Sequence, residues 1–235
     1  MASTSEKSFG ARLRNAQDLA TYIAGFNGYN PPRTEESASS FSTLLADIVA
    51  ANVAETSTKQ NYNSAVVTRY SAFRTDNFSV FKILAPIRGM VQAQYGKGSI
   101  QDNQIEAIVT RIRSSKLIKV AAKDNTPEST FSQSEQSYGS STQFCSDLVS
   151  TLETFPGYNS TKTELQIPQL KAYVSNLNAL NDAVASNYQK IKDIKEKRRN
   201  TYEELADRAQ RIKAYVKANY GTQSQEYKLI KGLRF

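Results

Sequence analysis

Apolar side chains recur along this chain at intervals of three and four, the spacing of a helix with one buried stripe. Phe41, Leu45, Ile48 and Ala51 form one such series, and Leu170, Val174, Leu177 and Leu180 repeat it. Further on, Val80, Leu84, Ile87, Val91 and Tyr95 are spaced in the same manner as Leu205, Ala209, Ile212, Val216 and Tyr220. This spacing, and not the every-second-residue alternation of a half-buried strand, predicts helix throughout.

The doubled stripes belong to a wider self-similarity. Shifting the chain by 129 residues lays Ser8, Phe9 and Gly10 over Ser137, Tyr138 and Gly139, Asp18-Leu19 over Asp147-Leu148, and Phe26 over Phe155. It also lays Gly28-Tyr29-Asn30 over Gly157-Tyr158-Asn159 and Thr34-Glu35 over Thr163-Glu164. From Ser3 to Glu35, 13 of 33 positions are identical without a gap, against about two expected from average residue usage. Later matches need shorter shifts: 126 for Asn61-Tyr62 over Asn187-Tyr188, and 125 from Val91 over Val216 to Ile105 over Ile230.

The fold class expected is therefore all-α, an elongated helical bundle built from two tandem-duplicated units of about four helices each. The units are expected at residues 1–113 and 130–235, with a polar connector over 114–129, packing together as one pseudo-symmetric domain. Helices are expected near 10–26 and 139–155, over a long second segment, near 77–95 and 202–220, and from about 100 and 225.

End signals sharpen this picture. Thr201 followed by Glu204 reads as a capping box, with Asp76 in the matching place of the first unit. Gly96 and Gly221 follow helical runs and suit C-terminal caps, and Gly28 and Gly157 are expected to do the same for the first helix. Pro31-Pro32 suits a connector, Pro168 a first helical turn, and Pro86 a kink. Between residues 169 and 220 there is neither Gly nor Pro, so the second and third helices of unit 2 can either run nearly continuously, for about 75 Å, or fold back at Asn200, and the sequence leaves both open.

Composition removes several functions. The 235 residues include no His, no Trp and a single Cys, Cys145. His-based triads, Cys/His dyads and ordinary zinc sites are thereby excluded. No stretch approaches the 18 apolar residues of a membrane span, and the N-terminus lacks the pattern of a secretory signal. A cytoplasmic location is the default expectation, with export by a non-Sec route left open.

Other constellations have bland readings. Cys145 lacks a base and faces Ala16 in the repeat, which suits a small packing residue. Gly96-Lys97-Gly98-Ser99 lacks the Walker spacing and is matched by Gly221-Thr222-Gln223-Ser224, so helix capping accounts for it. Glu35-Glu36 and Glu203-Glu204 are read as first-turn residues that favour the helix dipole. No catalytic, cofactor or metal residues are assigned, and the chain is expected not to be an enzyme.

Charge is uneven. The net charge is +8, and residues 186–235 hold 13 Lys or Arg against 6 Asp or Glu. Lys190, Lys192, Lys195, Lys197, Arg198 and Arg199 form the candidate contact for nucleic acid or another anionic surface. Between Ser37 and Val67, by contrast, only Asp47, Glu55 and Lys59 are charged. A helix with so little charge is expected to be covered, and Phe41, Leu44, Leu45, Ile48 and Val53 are the candidate self-association face.

The leading expectation is a non-enzymatic structural or interaction protein that assembles with itself, head-to-tail contacts between duplicated units being able to propagate. Binding of nucleic acid or an anionic surface through residues 188–199 comes second. Insertion into membranes as a pore-forming helical protein comes third.

Overall fold

The computed structural model describes the backbone of residues 8–114 and 128–235 and the side chains of 8–114 and 138–235. Every regular element among them is helical. Seven α-helices follow in order: α1 (Phe9–Gly25), α2 (Ala38–Tyr70), α3 (Val80–Tyr95), α4 (Ile100–Ser114), α5 (Glu128–Glu153), α6 (Ile167–Tyr220) and α7 (Gln225–Ile230). Short 3-10 turns at Thr34–Glu36 and Thr163–Leu165 precede α2 and α6, and a π turn at Ser71–Thr75 ends α2.

The chain divides into two compact units that are not the two repeat copies expected at 1–113 and 130–235; each draws on both halves of the sequence, and unit 1 and unit 2 denote these compact units from here on. Unit 1 comprises Met1–Thr58 and Lys190–Phe235, and unit 2 comprises Lys59–Gln189. Of the expected connector, residues 115–127 lie outside the described residues, and α5 is already helical at Glu128.

In unit 1, Ala16, Leu19 and Ile23 of α1 pack with Phe41, Leu44, Leu45 and Ile48 of α2, with Leu205, Ile212 and Val216 of α6, and with Ile230 of α7. Burying each larger apolar side chain contributes about 1.5–3 kcal/mol. Here α2 and α6 run antiparallel: Asn52 meets Tyr202, whereas Glu36, nearer the start, meets Arg211 farther along. Ser8 caps α1, its hydroxyl accepting from the Ala11 amide, and Ser224 caps α7 by accepting from the Tyr227 amide.

Unit 2 has its own core of Phe73, Val80, Leu84, Ile87 and Val91, closed by Ile105 and Ile112 of α4, Leu148 and Leu152 of α5, and Leu165, Leu170 and Leu177. Its α3 continues through Pro86 to Tyr95, where Gly96 turns the chain at φ 94°.

Local geometries recur 129 residues apart. Gly28 and Gly157 have φ of 73° and 72°, which a residue without Cβ adopts at least cost. They sit in the turn beyond the first helix of each segment and not at its C-cap. The next residues, Tyr29 and Tyr158, donate their hydroxyls to the carbonyls of Glu36 and Leu165, seven positions on. Phe9 packs on Tyr202 at 4.6 Å between ring centroids, and Tyr138 on Phe73 at 4.8 Å. Arg198 lies 4.2 Å from the Phe9 ring and Arg69 lies 4.1 Å from the Tyr138 ring.

Two boundary expectations are corrected. Thr201 stands in the middle of α6, and its hydroxyl donates to the Lys197 carbonyl at 2.7 Å, so it caps nothing. The α6 stripe continues across it through Arg198, Tyr202 and Leu205, and this buried face outweighs a local capping signature. Asp76 follows the π turn, and α3 begins after Ser79. The 126-residue match of Tyr62 with Tyr188 is displaced as well. Tyr62 and Ile191, 129 apart, are the buried pair, and Tyr188 is only half-buried.

Candidate functional site

The six basic residues proposed for anion binding all belong to the part of α6 in unit 1. Lys190, Lys192, Lys195, Lys197 and Arg199 are exposed. Arg198 is turned inward: its guanidinium pairs with the buried Glu55 carboxylate and lies against the Phe9 ring.

At about 100° per residue, Lys192, Lys195 and Arg199 fall on one flank of the helix, and Lys190 and Lys197 on the other. Asp193, Glu196 and Glu203 occupy the outward crest between the flanks. Arg199 lies 3.8 Å from the Glu196 carboxylate and 3.7 Å from that of Glu203. The cations therefore present no single face to a row of phosphates.

Of the candidate self-association residues, Phe41, Leu44, Leu45 and Ile48 are all buried in the core of unit 1. They are occupied within their own chain, because they form the stripe on which α1 and α6 pack. Val53 lies on the other side of α2, with 64% of its surface exposed. Around it Ser42, Ala46, Val49, Ala50 and Ser57 are exposed too. These six residues fall within an arc of about 100° and carry no charge.

Charged side chains that the hydropathy pattern did not single out hold the cores in register. Glu36, only 3% exposed, pairs with Arg211 and lies 3.7 Å from Arg33. The Tyr202 hydroxyl donates to the Phe9 carbonyl and accepts from the Asn52 amide, and Arg12 donates to the Tyr202 carbonyl. Heptad spacing marks the inward members: Phe41, Ile48, Glu55, Tyr62 and Arg69 are spaced by sevens, as are Leu170, Leu177, Val184, Ile191 and Arg198.

In unit 2, Asp102 accepts from Arg88 at 2.8 Å, from Gln92 at 3.1 Å and from the Gly98 amide at 3.0 Å. The Arg88 hydrogen bond, helped by the Gly98 amide, lowers its pKa to about 2. The glycine loop Gly96–Ser99 thus directs an amide to the protein's own carboxylate, and the Ser99 hydroxyl accepts from the Asp102 amide as a helix cap.

Cys145 is buried beside a void of about 10 Å³ lined by apolar side chains and Tyr173, and burial pushes its thiol up to about 12. The protonated thiol is a poor nucleophile. Glu203 and Glu204 lie inside α6 and not in a first turn, and Glu204 pairs with Arg208. Glu35 and Glu36 occupy a 3-10 turn.

Among the described residues, no group of three or more His, Cys, Asp or Glu is placed to hold a metal ion. No helix among them is long and apolar enough to cross a membrane. Comparison with protein-family models, curated proteins and solved structures finds no match to the chain.

Proposed function

We propose that the chain is a tandem helical repeat acting as a non-enzymatic building block that associates with copies of itself. The observation that carries this reading is the exposed, charge-free stripe of α2 around Val53, on a chain whose net charge is +8. Like charges crossing an interface cost energy, whereas small uncharged side chains let two helices approach closely. Of the two candidate surfaces on α2 and α6, the stripe is the one whose composition favours a second copy.

The duplication is supported by the recurring turns, ring pairs and arginine–ring contacts 129 residues apart. On this reading, each compact unit combines the first half of one copy with the second half of the other. The division of the basic segment into two flanks by an acidic crest weighs against the nucleic-acid alternative.

Sedimentation velocity over a wide concentration range tests the proposal. The expected result is a concentration-dependent oligomer that Val53→Glu shifts toward monomer with unchanged far-UV circular dichroism. A monomer at every concentration, or an oligomer indifferent to Val53→Glu and Ala50→Glu, overturns it.

A further inference from the structure

The long helices of the two segments differ in one place. In α6 the buried stripe advances by sevens without interruption through Leu170, Leu177, Val184, Ile191, Arg198, Leu205 and Ile212. Along α2 it advances by sevens from Phe41 to Arg69 and then on to Phe73, but Val80 follows Phe73 by seven positions, where Leu205 follows Tyr202 by three, and Ile87 comes seven after Val80.

Correspondence between the segments changes at the same place. Before it, Arg69 and Phe73 match Arg198 and Tyr202 at a shift of 129, in ring contacts as well as in sequence. After it, Val80, Leu84, Ile87 and Val91 match Leu205, Ala209, Ile212 and Val216 at 125, and Gly96 and Gly221 share a φ of 94°. Four residues are in excess, all between Phe73 and Val80. A four-residue insertion into a seven-residue repeat is a stutter, which disturbs the winding of a helix locally.

The backbone accommodates the excess there. Ser71–Thr75 widens into a π turn in which the Asp76 amide donates to the Ser71 carbonyl at 3.0 Å, and the helix then stops until Ser79. Thr75, Asp76 and Asn77 are exposed. The Thr75 carbonyl, left without a helical donor, accepts from the Lys82 ammonium at 2.7 Å. A π turn is the usual trace of an extra residue forced into a helical ladder. The hydroxyl of buried Ser79 has no hydrogen-bond partner, another sign that the segment is a local compromise.

We infer that Thr75–Phe78 is a one-turn insertion that acts as a conformational joint, converting what would be one unbroken helix from Ala38 to Tyr95 into two helices with a compliant junction. The inference rests on the repeat proposed above but not on self-association. Continuous α6 is the same design without the joint, and the joint gives the α2–α3 side of unit 2 a place to bend that α6 lacks.

The test is deletion of Thr75–Phe78 from the full chain, read by thermal unfolding and by amide hydrogen exchange, with Phe78→Ala as the control for the lost ring contact with Tyr173. Expected is a cooperative fold with a melting temperature near that of Phe78→Ala. The amides of Arg74, Ser79 and Val80 should exchange at least about tenfold more slowly than in the intact chain, as a closed helical ladder requires. A deletion chain that does not fold cooperatively, or one whose junction amides still exchange fast, overturns the inference. The deletion leaves Arg69 and Val80 in place on either side, so its failure would count against the insertion and not against the repeat or the assembly.

Discussion

Unit 1 and unit 2 solve the same packing problem with different chemistry. Where unit 1 buries Glu36, unit 2 buries Leu165, and where unit 1 buries Glu55, unit 2 buries Val184. Tyr202, which exchanges hydrogen bonds with Phe9 and Asn52, stands where unit 2 has Phe73, which only packs. An apolar position tolerates a shift along its neighbour more readily than an ion pair does. The charged positions of unit 1 thus specify which turn of α2 meets which turn of α6, at the cost of desolvating the charges. Unit 2 keeps its buried acid at the helix end, where Asp102 ties α4 to α3.

Three measurements would break or sharpen this contrast. The largest effect is expected at Phe73→Ala, which removes a fully buried ring from a core that holds it by packing alone. A loss of about 3–5 kcal/mol in unfolding free energy is expected from urea titration, and a loss below about 1 kcal/mol would mean that this apolar core is not cooperative with the rest.

A smaller effect is expected at Glu55→Val, which writes the unit 2 residue into unit 1. It leaves the half-buried Arg198 guanidinium without this carboxylate and should cost about 2–3 kcal/mol. The double variant Glu55→Val with Arg198→Met should recover most of that loss. If the single variant is neutral, the ion pair does not fix the register.

The smallest effect is in the pH dependence. The folded-state pKa of Asp102 lies near 2, below the ordinary value of about 3.9. Its contribution is therefore fully present above about pH 4 and is lost as pH falls toward 2. Urea midpoints measured from pH 5 to 2 should fall in the intact chain more steeply than in Asp102→Asn, and parallel curves would remove Asp102 from the account. At the alkaline end the sign reverses. Burial raises the pKa of Tyr29 and Tyr173 and takes Cys145 to about 12, so folding holds these protons where the unfolded chain releases them. Stability should decline as pH rises past about 9.

Much of the fold was legible in the sequence because apolar spacing is a strong physical signal. The stripes of α2 and α3 are the buried faces, whereas the absence of Gly and Pro between residues 169 and 220 permits a continuous α6 without deciding between it and a fold-back at Asn200. Other features were hidden because their signals are local or ambiguous. Thr201 and Glu204 have the letters of a cap, but a helix whose heptads continue on both sides has no end to cap. Arg198 looked like one more cation of the basic segment, although its place seven residues after Ile191 turns it inward. Of the apolar candidates on α2, Phe41, Leu44, Leu45 and Ile48 belong to the face that α1 and α6 cover, and Val53 alone among the five is exposed. The exposed stripe is opposite, and its Ala and Ser residues have little hydropathy to announce it.

The sharing of both units between the two halves of the chain has a consequence for dissection. The helices of residues 9–114 supply part of unit 1 and part of unit 2, and those of residues 128–235 supply the remainder of each. A single cut between them would liberate neither module. It would produce two incomplete partners, each carrying the missing strip of both interiors, and their natural fate on mixing is to find one another and restore the whole by complementation.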